Sequence, residues 1–151
     1  MAKSLVLSVS VGTGCYRHIQ ISENRTLESL SSAILSAFDF MDDHLHSFFM
    51  SNIAWDEDSE YPCYYNEMDD ERAELFGESG FTNEVTLREF DMTKGDRFLY
   101  IFDYGDEWRF WVKVLRVIDE DTKVPVILKS KGEVVQYPYD DEEEDWDDDE
   151  E

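Results

Sequence analysis

The sequence is poor in basic residues. It holds 13 Lys and Arg against 37 Asp and Glu, which gives a formal net charge of -24 in 151 residues. The 13 basic residues are spread along the chain without forming a cluster in the sequence, and nucleic-acid binding depends on clustered cations that release counterions from the phosphates. Direct binding of nucleic acid is therefore not expected.

Long apolar runs and cysteines are also scarce. No segment approaches the roughly 18 consecutive apolar residues that cross a bilayer, and residues 1–14 alternate polar and apolar residues where a secretion signal would be continuously apolar. The two cysteines, Cys15 and Cys63, match no paired zinc motif in their spacing. We expect a cytoplasmic protein without membrane association, in which both thiols are buried and reduced.

The abundant acidic residues are concentrated in two blocks. Residues 140–151 hold eleven carboxylates and no base, and residues 56–78 hold ten carboxylates with Arg72 as the one base. Charge runs of this kind are typical of solvated or disordered segments. We therefore expect a single α+β domain over residues 1–139 and a disordered acidic tail over residues 140–151. The functional alternatives for these blocks are attraction of a basic partner and imitation of a nucleic-acid phosphate array.

Alternation of polar and apolar residues predicts most of the β-structure. It indicates a hairpin around Gly12-Thr13-Gly14, a strand within 44–53, a hairpin around Tyr104-Gly105-Asp106 and a last strand at 124–129. The first arm of the second hairpin is apolar on both faces, and the second arm alternates an apolar face with a face that mixes basic and apolar residues. We expect both arms at the centre of the sheet.

One principal helix is predicted after the first hairpin. Thr26 is placed to cap it, and apolar residues recur every three or four positions from Leu27 to Met41. Between the strand within 44–53 and the second hairpin, we predict a long acidic loop with a helical turn at 69–76, followed by a capped turn at 86–90. Alternating βαβ units are absent, so we predict an α+β fold in which one amphipathic helix packs across an antiparallel or mixed curved sheet.

His44 and His46 are the candidate metal ligands. Residues two apart on a strand project to the same face, so both imidazoles could approach one ion, with Asp42 and Asp43 just upstream. The structural alternative is that one histidine forms a hydrogen bond within the fold while the other faces solvent. The sequence predicts no cofactor, and a divalent metal at these histidines is the one alternative.

The turn between the arms of the second hairpin carries the candidate catalytic carboxylates, Asp103 and Asp106. Carboxylates beside large aromatic side chains can have pKa values driven apart, as acid–base catalysis requires. The structural alternative is a tight turn in which Asp103 or Asp106 accepts backbone N–H bonds while Trp108 anchors the following strand.

These two segments resemble the plasmid pRiA4b ORF-3-like family. That family has a tyrosine-rich strand that ends in Asp-Phe-Gly-Asp-x-Trp, similar to residues 100–108, and a His-Leu-x-x-Phe segment behind a helix, similar to His44–Phe48. The resemblance spans roughly residues 5–128, and it implies an α+β domain of bacterial, archaeal or mobile-element origin whose function is unknown. The chain departs from the family after the last strand, where residues 136–139 and the acidic run replace a Pro-Pro-Glu-Asp and Gly-Gly segment.

Three functions compete on these observations. The leading hypothesis is a non-catalytic protein-binding module whose aromatic residues Tyr104, Trp108 and Trp111 contact a protein partner, because aromatic side chains are preferred interface anchors. A basic protein is one alternative for this partner. The second is a metal-assisted or carboxylate-based enzyme that uses His44, His46, Asp103 and Asp106. The third is an acidic mimic of nucleic acid. The absence of a complete catalytic set favours a protein that is not an enzyme.

Overall fold

The computed structural model describes residues 3–63 and 81–136. The predicted helical turn at 69–76 and the predicted tail at 140–151 lie outside these ranges. The described residues form seven strands and one α-helix: β1 Ser4–Ser10, β2 Tyr16–Ser22, α1 Leu27–Ala37, β3 His46–Phe49, β4 Glu60–Pro62, β5 Arg97–Phe102, β6 Trp108–Ile118 and β7 Val126–Lys131.

All seven strands belong to one antiparallel sheet in the order β4-β3-β5-β6-β1-β2-β7. The α+β class and both predicted hairpins are confirmed, and the sheet is antiparallel throughout its described strands. β6 lies at the centre, between β5 and β1, where the second arm of this hairpin was expected. The short strand β4 was not predicted, because three residues that include Pro62 give no alternation to detect.

The helix begins as predicted and ends earlier. The hydroxyl oxygen of Thr26 accepts a hydrogen bond from the backbone N–H of Ser29 at 3.1 Å, which caps the first turn. The last helical residue is Ala37 rather than Met41, because Asp39 takes a left-handed conformation with φ 60° and the chain turns back. The buried guanidinium of Arg17 donates to the carbonyl of Ala37 at 2.9 Å and so satisfies a carbonyl that the ended helix leaves unpaired.

α1 packs against one face of the sheet and forms the main core with it. Leu30 and Ile34 of the helix are fully buried against aromatic side chains of β3, β5 and β6, among them Phe48, Tyr100 and Phe110. Two polar groups meet inside this core, where the hydroxyls of Ser31 and Tyr100 lie 2.5 Å apart.

We call the opposite sheet surface the outer face; it is formed by the strand residues that point away from α1. Because side chains alternate along each strand, the neighbours of the core residues project there. Phe49, Leu99 and Ile101 form a small apolar cluster on the outer face, with Ala54 and Tyr104 packed beside it. In the two described ranges, no helix has the length and apolar character needed to cross a membrane.

Candidate functional site

The turn between β5 and β6 is held by the side chain of Asp103. Its Oδ1 accepts hydrogen bonds from the backbone N–H groups of Gly105 at 3.2 Å and Asp106 at 3.3 Å. Asp103 is buried and has a left-handed backbone conformation with φ 65°, which Asp tolerates better than most residues. Asp103 therefore has the turn-forming role that the sequence offered as its structural alternative, and the side chain of Asp106 is exposed.

The second oxygen of the same carboxylate faces His44. Asp103 Oδ2 lies 3.4 Å from His44 Nε2, and Asp43 Oδ1 approaches that nitrogen at 3.6 Å. The imidazole packs edge-on against Phe102, with ring centroids 5.9 Å apart. Two of the four predicted catalytic residues, His44 and Asp103, are thus brought together although they lie 59 positions apart in the sequence.

His46 has different surroundings. It is buried at the start of β3, where its Nε2 lies 3.0 Å from the hydroxyl oxygen of Thr82. Its ring packs against Tyr100 and Phe48, with centroid distances of 5.7 and 6.2 Å. In residues 3–63 and 81–136, no group of three or more His, Cys, Asp and Glu side chains is arranged to hold a metal ion. A metal bound by His44 and His46 together stays a prediction.

Tyr104 belongs to a chain of hydroxyl groups on the outer face. Its hydroxyl lies 2.6 Å from Ser47 Oγ and donates to the carbonyl of His46 at 3.0 Å. Ser47 in turn donates to Glu60 Oε2 at 2.7 Å, and both Ser47 and Glu60 are buried. The chain of contacts fixes the Tyr104 ring, so Tyr104 is a rigid part of the surface around the turn.

Trp55 contributes to this surface, and no pattern in the sequence indicated it. Its indole N–H donates to Glu107 Oε1 at 2.8 Å, and its ring packs against Phe49 and Tyr104 with centroids 5.4 Å away in both cases. Arg109 donates to the other oxygen of Glu107, and these two hydrogen bonds lower the pKa of the Glu107 carboxyl. Trp55 is 39% exposed and Glu107 is ionised at neutral pH.

The two tryptophans of β6 lie on opposite faces. Trp108 points towards the core, where its ring meets Phe40 edge-on at 5.0 Å. Its buried N–H has no hydrogen-bond partner among residues 3–63 and 81–136. Trp111 is 42% exposed on the outer face, directly across from Leu99 of β5 and Ser10 of β1. The three predicted binding aromatics therefore do not share a surface: Tyr104 and Trp111 lie on the outer face and Trp108 does not.

Comparison with known proteins adds a family and a fold. The family model described as plasmid pRiA4b ORF-3-like protein matches residues 7–143, which confirms the resemblance drawn from His44–Phe48 and residues 100–108. No curated protein matches the chain. Among solved structures, a protein of unknown function from Methanosarcina mazei Go1 has a TM-score of 0.65 and 22% sequence identity, over 89% of this chain and 72% of that one. At this identity the likeness concerns the fold alone.

Proposed function

The chain belongs to the plasmid pRiA4b ORF-3-like family, and we propose that it acts as a non-catalytic protein-binding module whose outer face contacts its partner. The observation that carries this proposal is the exposure of Trp55 and Trp111 on a sheet face that α1 leaves uncovered. Tryptophan anchors interfaces because it removes a large apolar area from water and loses little side-chain entropy.

The surroundings of these two indoles support a role in binding. Trp55 is oriented by Glu107 and by the rings of Phe49 and Tyr104, so little ordering is left to occur when a partner docks. Tyr104 is a secondary contact through its ring, because its hydroxyl is already used inside the fold. Trp108 supports the site from the core side by packing under the turn against Phe40.

Two features of the chain bear on the chemistry of its protein partners. The acidic blocks at 56–78 and 140–151 would attract a basic protein at long range. The indoles of the outer face provide a separate short-range contact, which does not depend on charge. A protein partner is favoured over nucleic acid because the chain as a whole is an anion.

The test compares Trp111→Ser with Leu128→Ser as bait in affinity capture from the native extract. Leu128 is the matched control, since it is an apolar residue on β7 with a similar exposure, 46%. We expect a reproducible protein that is lost with Trp111→Ser and retained with Leu128→Ser. The proposal fails if no protein is recovered reproducibly, or if both variants lose it equally.

A second function is favoured by one distance, the 3.4 Å between His44 Nε2 and Asp103 Oδ2. A carboxylate that orients an imidazole is the arrangement of a general base, and we propose acid–base catalysis at His44 as the alternative to binding. His46 and Asp106 would take no direct part in it. Metal analysis of the purified protein beside His44→Gln tests the metal-assisted form: stoichiometric metal lost with His44→Gln supports it, and an equal content in both proteins contradicts it.

A further inference from the structure

The paired strands gather basic residues that are far apart in the sequence. Antiparallel residues directly opposite each other share a face, and one row across five strands runs Arg97, Lys113, Ser8, His18, Lys129. Arg109, Arg116 and Lys131 lie on the same face, opposite Ile101, Val6 and Tyr16 respectively. Six of the 13 basic residues of the chain therefore lie on the outer face.

Most of these cations form no ion pair with a carboxylate of the described ranges. Arg109 forms an ion pair with Glu107 at 2.6 Å, and in the described ranges Arg97, Lys113, Arg116, Lys129 and Lys131 form none. The ammonium of Lys129 lies 5.8 Å from the centre of the Tyr16 ring. The pKa of His18 is lowered by burial first and then by Lys129 and Arg116, so the cations of β6 and β7 act on the same point of β2.

An aromatic side chain and a cleft accompany the charges. Trp111 occupies the position two residues before Lys113 on β6, so its exposed indole stands beside the basic row. A cleft of about 300 Å³ lies here, lined by Arg97, Lys113, Trp111, Ser8, Ser10 and Asn52. Cations, hydroxyl groups and one large apolar ring are the groups that hold a carboxylate with an apolar residue next to it.

The carboxylates at the ends of the strands limit the length of an anionic ligand. Asp96 precedes β5, Asp106 lies in the β5–β6 turn, and residues 119–121 follow β6 as Asp-Glu-Asp; all are exposed. A long polyanion that ran along the strands would cross this acidic border and meet repulsion at both ends. A short acidic segment of a protein fits inside the border.

We infer that the outer face binds a short acidic segment of a protein partner, which seats its carboxylates on Arg97, Lys113 and Lys129 and an apolar side chain on Trp111. The inference rests on the proposed binding function and names the chemistry of the partner at this face. It is independent of the basic partner that the two acidic blocks would attract.

The test is a titration of the full-length protein with a synthetic peptide of the sequence of residues 140–151, which is acidic and contains one tryptophan. An uncharged peptide with Asn and Gln in place of Asp and Glu is the ligand control. The triple variant Arg97→Gln, Lys113→Gln, Lys129→Gln is compared with Lys3→Gln, Arg88→Gln, Lys123→Gln, which removes three exposed cations outside the strands. Circular dichroism verifies that each variant is folded.

We expect the acidic peptide to bind the wild-type protein. Its affinity should fall about tenfold in the variant that lacks Arg97, Lys113 and Lys129 (the outer-face triple), and less than about twofold in the variant that lacks Lys3, Arg88 and Lys123 (the control triple). NMR should show a rise in the pKa of His18 on binding, since carboxylates would then lie beside it together with Lys129, Arg116, Tyr16 and Ser8. Equal losses in the two triples, or tighter binding of a 12-nucleotide single-stranded DNA than of the peptide, would overturn the inference.

The acidic residues of the chain itself would compete with the peptide for the outer face. The titration is therefore repeated on a full-length variant in which the eleven carboxylates of residues 140–151 are changed to Asn and Gln. Absence of binding in both full-length proteins overturns the inference. A partner captured by the wild-type protein, lost with Trp111→Ser and retained by the outer-face triple, would leave the proposed binding function standing and reject the acidic segment.

Discussion

The carboxylate of Asp103 joins two segments of the chain: one oxygen holds the β5–β6 turn, and the other lies 3.4 Å from the imidazole of His44. The same side chain thus positions the turn beside Trp108 and the segment before β3. Its contacts give Asp103 the turn-forming role that the sequence offered as one alternative, and its catalytic role stays a prediction. It is also placed to orient a histidine.

Replacement of Asp103 should destabilise the protein much more than replacement of Asp106. Asp103→Ala removes the acceptor of two backbone N–H groups, with an expected loss of about 2 kcal/mol in the free energy of unfolding. Asp106→Ala is the control, because its carboxylate is exposed and should contribute less than about 0.5 kcal/mol. Urea denaturation measures both, and equal effects would contradict the assigned role of Asp103.

The buried hydroxyl pair in the core gives a second prediction. Tyr100→Phe leaves the hydroxyl of Ser31 without its partner at 2.5 Å, and the expected cost is about 1–3 kcal/mol. The double variant Tyr100→Phe, Ser31→Ala removes both groups and should recover part of that loss. Additive losses in the double-mutant cycle would show that the two hydroxyls do not interact.

Arg17 should be important for stability although it is charged. Its guanidinium donates to the carbonyls of Ala37, Tyr16 and Lys131 and lies 4.6 Å from the centre of the Phe38 ring. Arg17→Met leaves three carbonyls without these bonds, so we expect a loss of about 2–3 kcal/mol. Arg17→Lys keeps the charge and one donor group, and its loss should be intermediate. A thermal midpoint of Arg17→Met equal to that of the wild type would refute this role.

The pKa of His18 should respond to Lys129. Burial lowers it most, followed by the charges of Lys129 and Arg116, so Lys129→Gln should raise the pKa towards the ordinary value for histidine. The unfolded chain takes up the proton more readily than the folded one. The stability linked to His18 is therefore present at neutral pH and decreases as the pH falls through the ordinary histidine pKa. NMR titration checks the shift, and Lys131→Gln is the control with a smaller effect.

We propose that residues 140–151 add little to stability, and this prediction rests on the sequence alone. Eleven adjacent carboxylates repel one another, and Trp146 is the one large apolar side chain among them. Truncation after residue 139 should leave the thermal midpoint unchanged at moderate salt. A decrease of several degrees, in the truncated protein or in Trp146→Ala, would show that this segment is docked.

Sequence patterns predicted the strands and the helix start that depend on neighbouring residues. Period-two alternation gives β1, β2, β5 and β6, and the Thr26 hydroxyl gives the start of α1. The helix end was predicted four residues late because the apolar spacing continues to Met41, while the chain leaves the helix at Asp39 to place Phe40 against Phe110.

The site required information that is not local. The meeting of His44 with Asp103 depends on the register of β3 against β5, in which His46 lies opposite Phe102. The basic row depends on four strand pairings at once, so its cations are scattered along the chain and form no cluster that sequence analysis could detect. Trp55 lies in an acidic segment with no periodic pattern, and its contacts with Glu107 and Tyr104 arise only in the folded chain.

The outer-face cations also protect the alignment of the central strand. β6 places Phe110, Val112 and Val114 in the core and Arg109, Trp111 and Lys113 outside. A slip of one residue against β1 or β5 would exchange the two sets, because side chains alternate with a period of exactly two. Arg109 and Lys113 would then be buried without partners among aromatic rings, at a cost of several kcal/mol each. A strand of eleven residues that is largely apolar could otherwise pair in more than one alignment, so the cations of its outer face make the shifted alignments less stable than the native one.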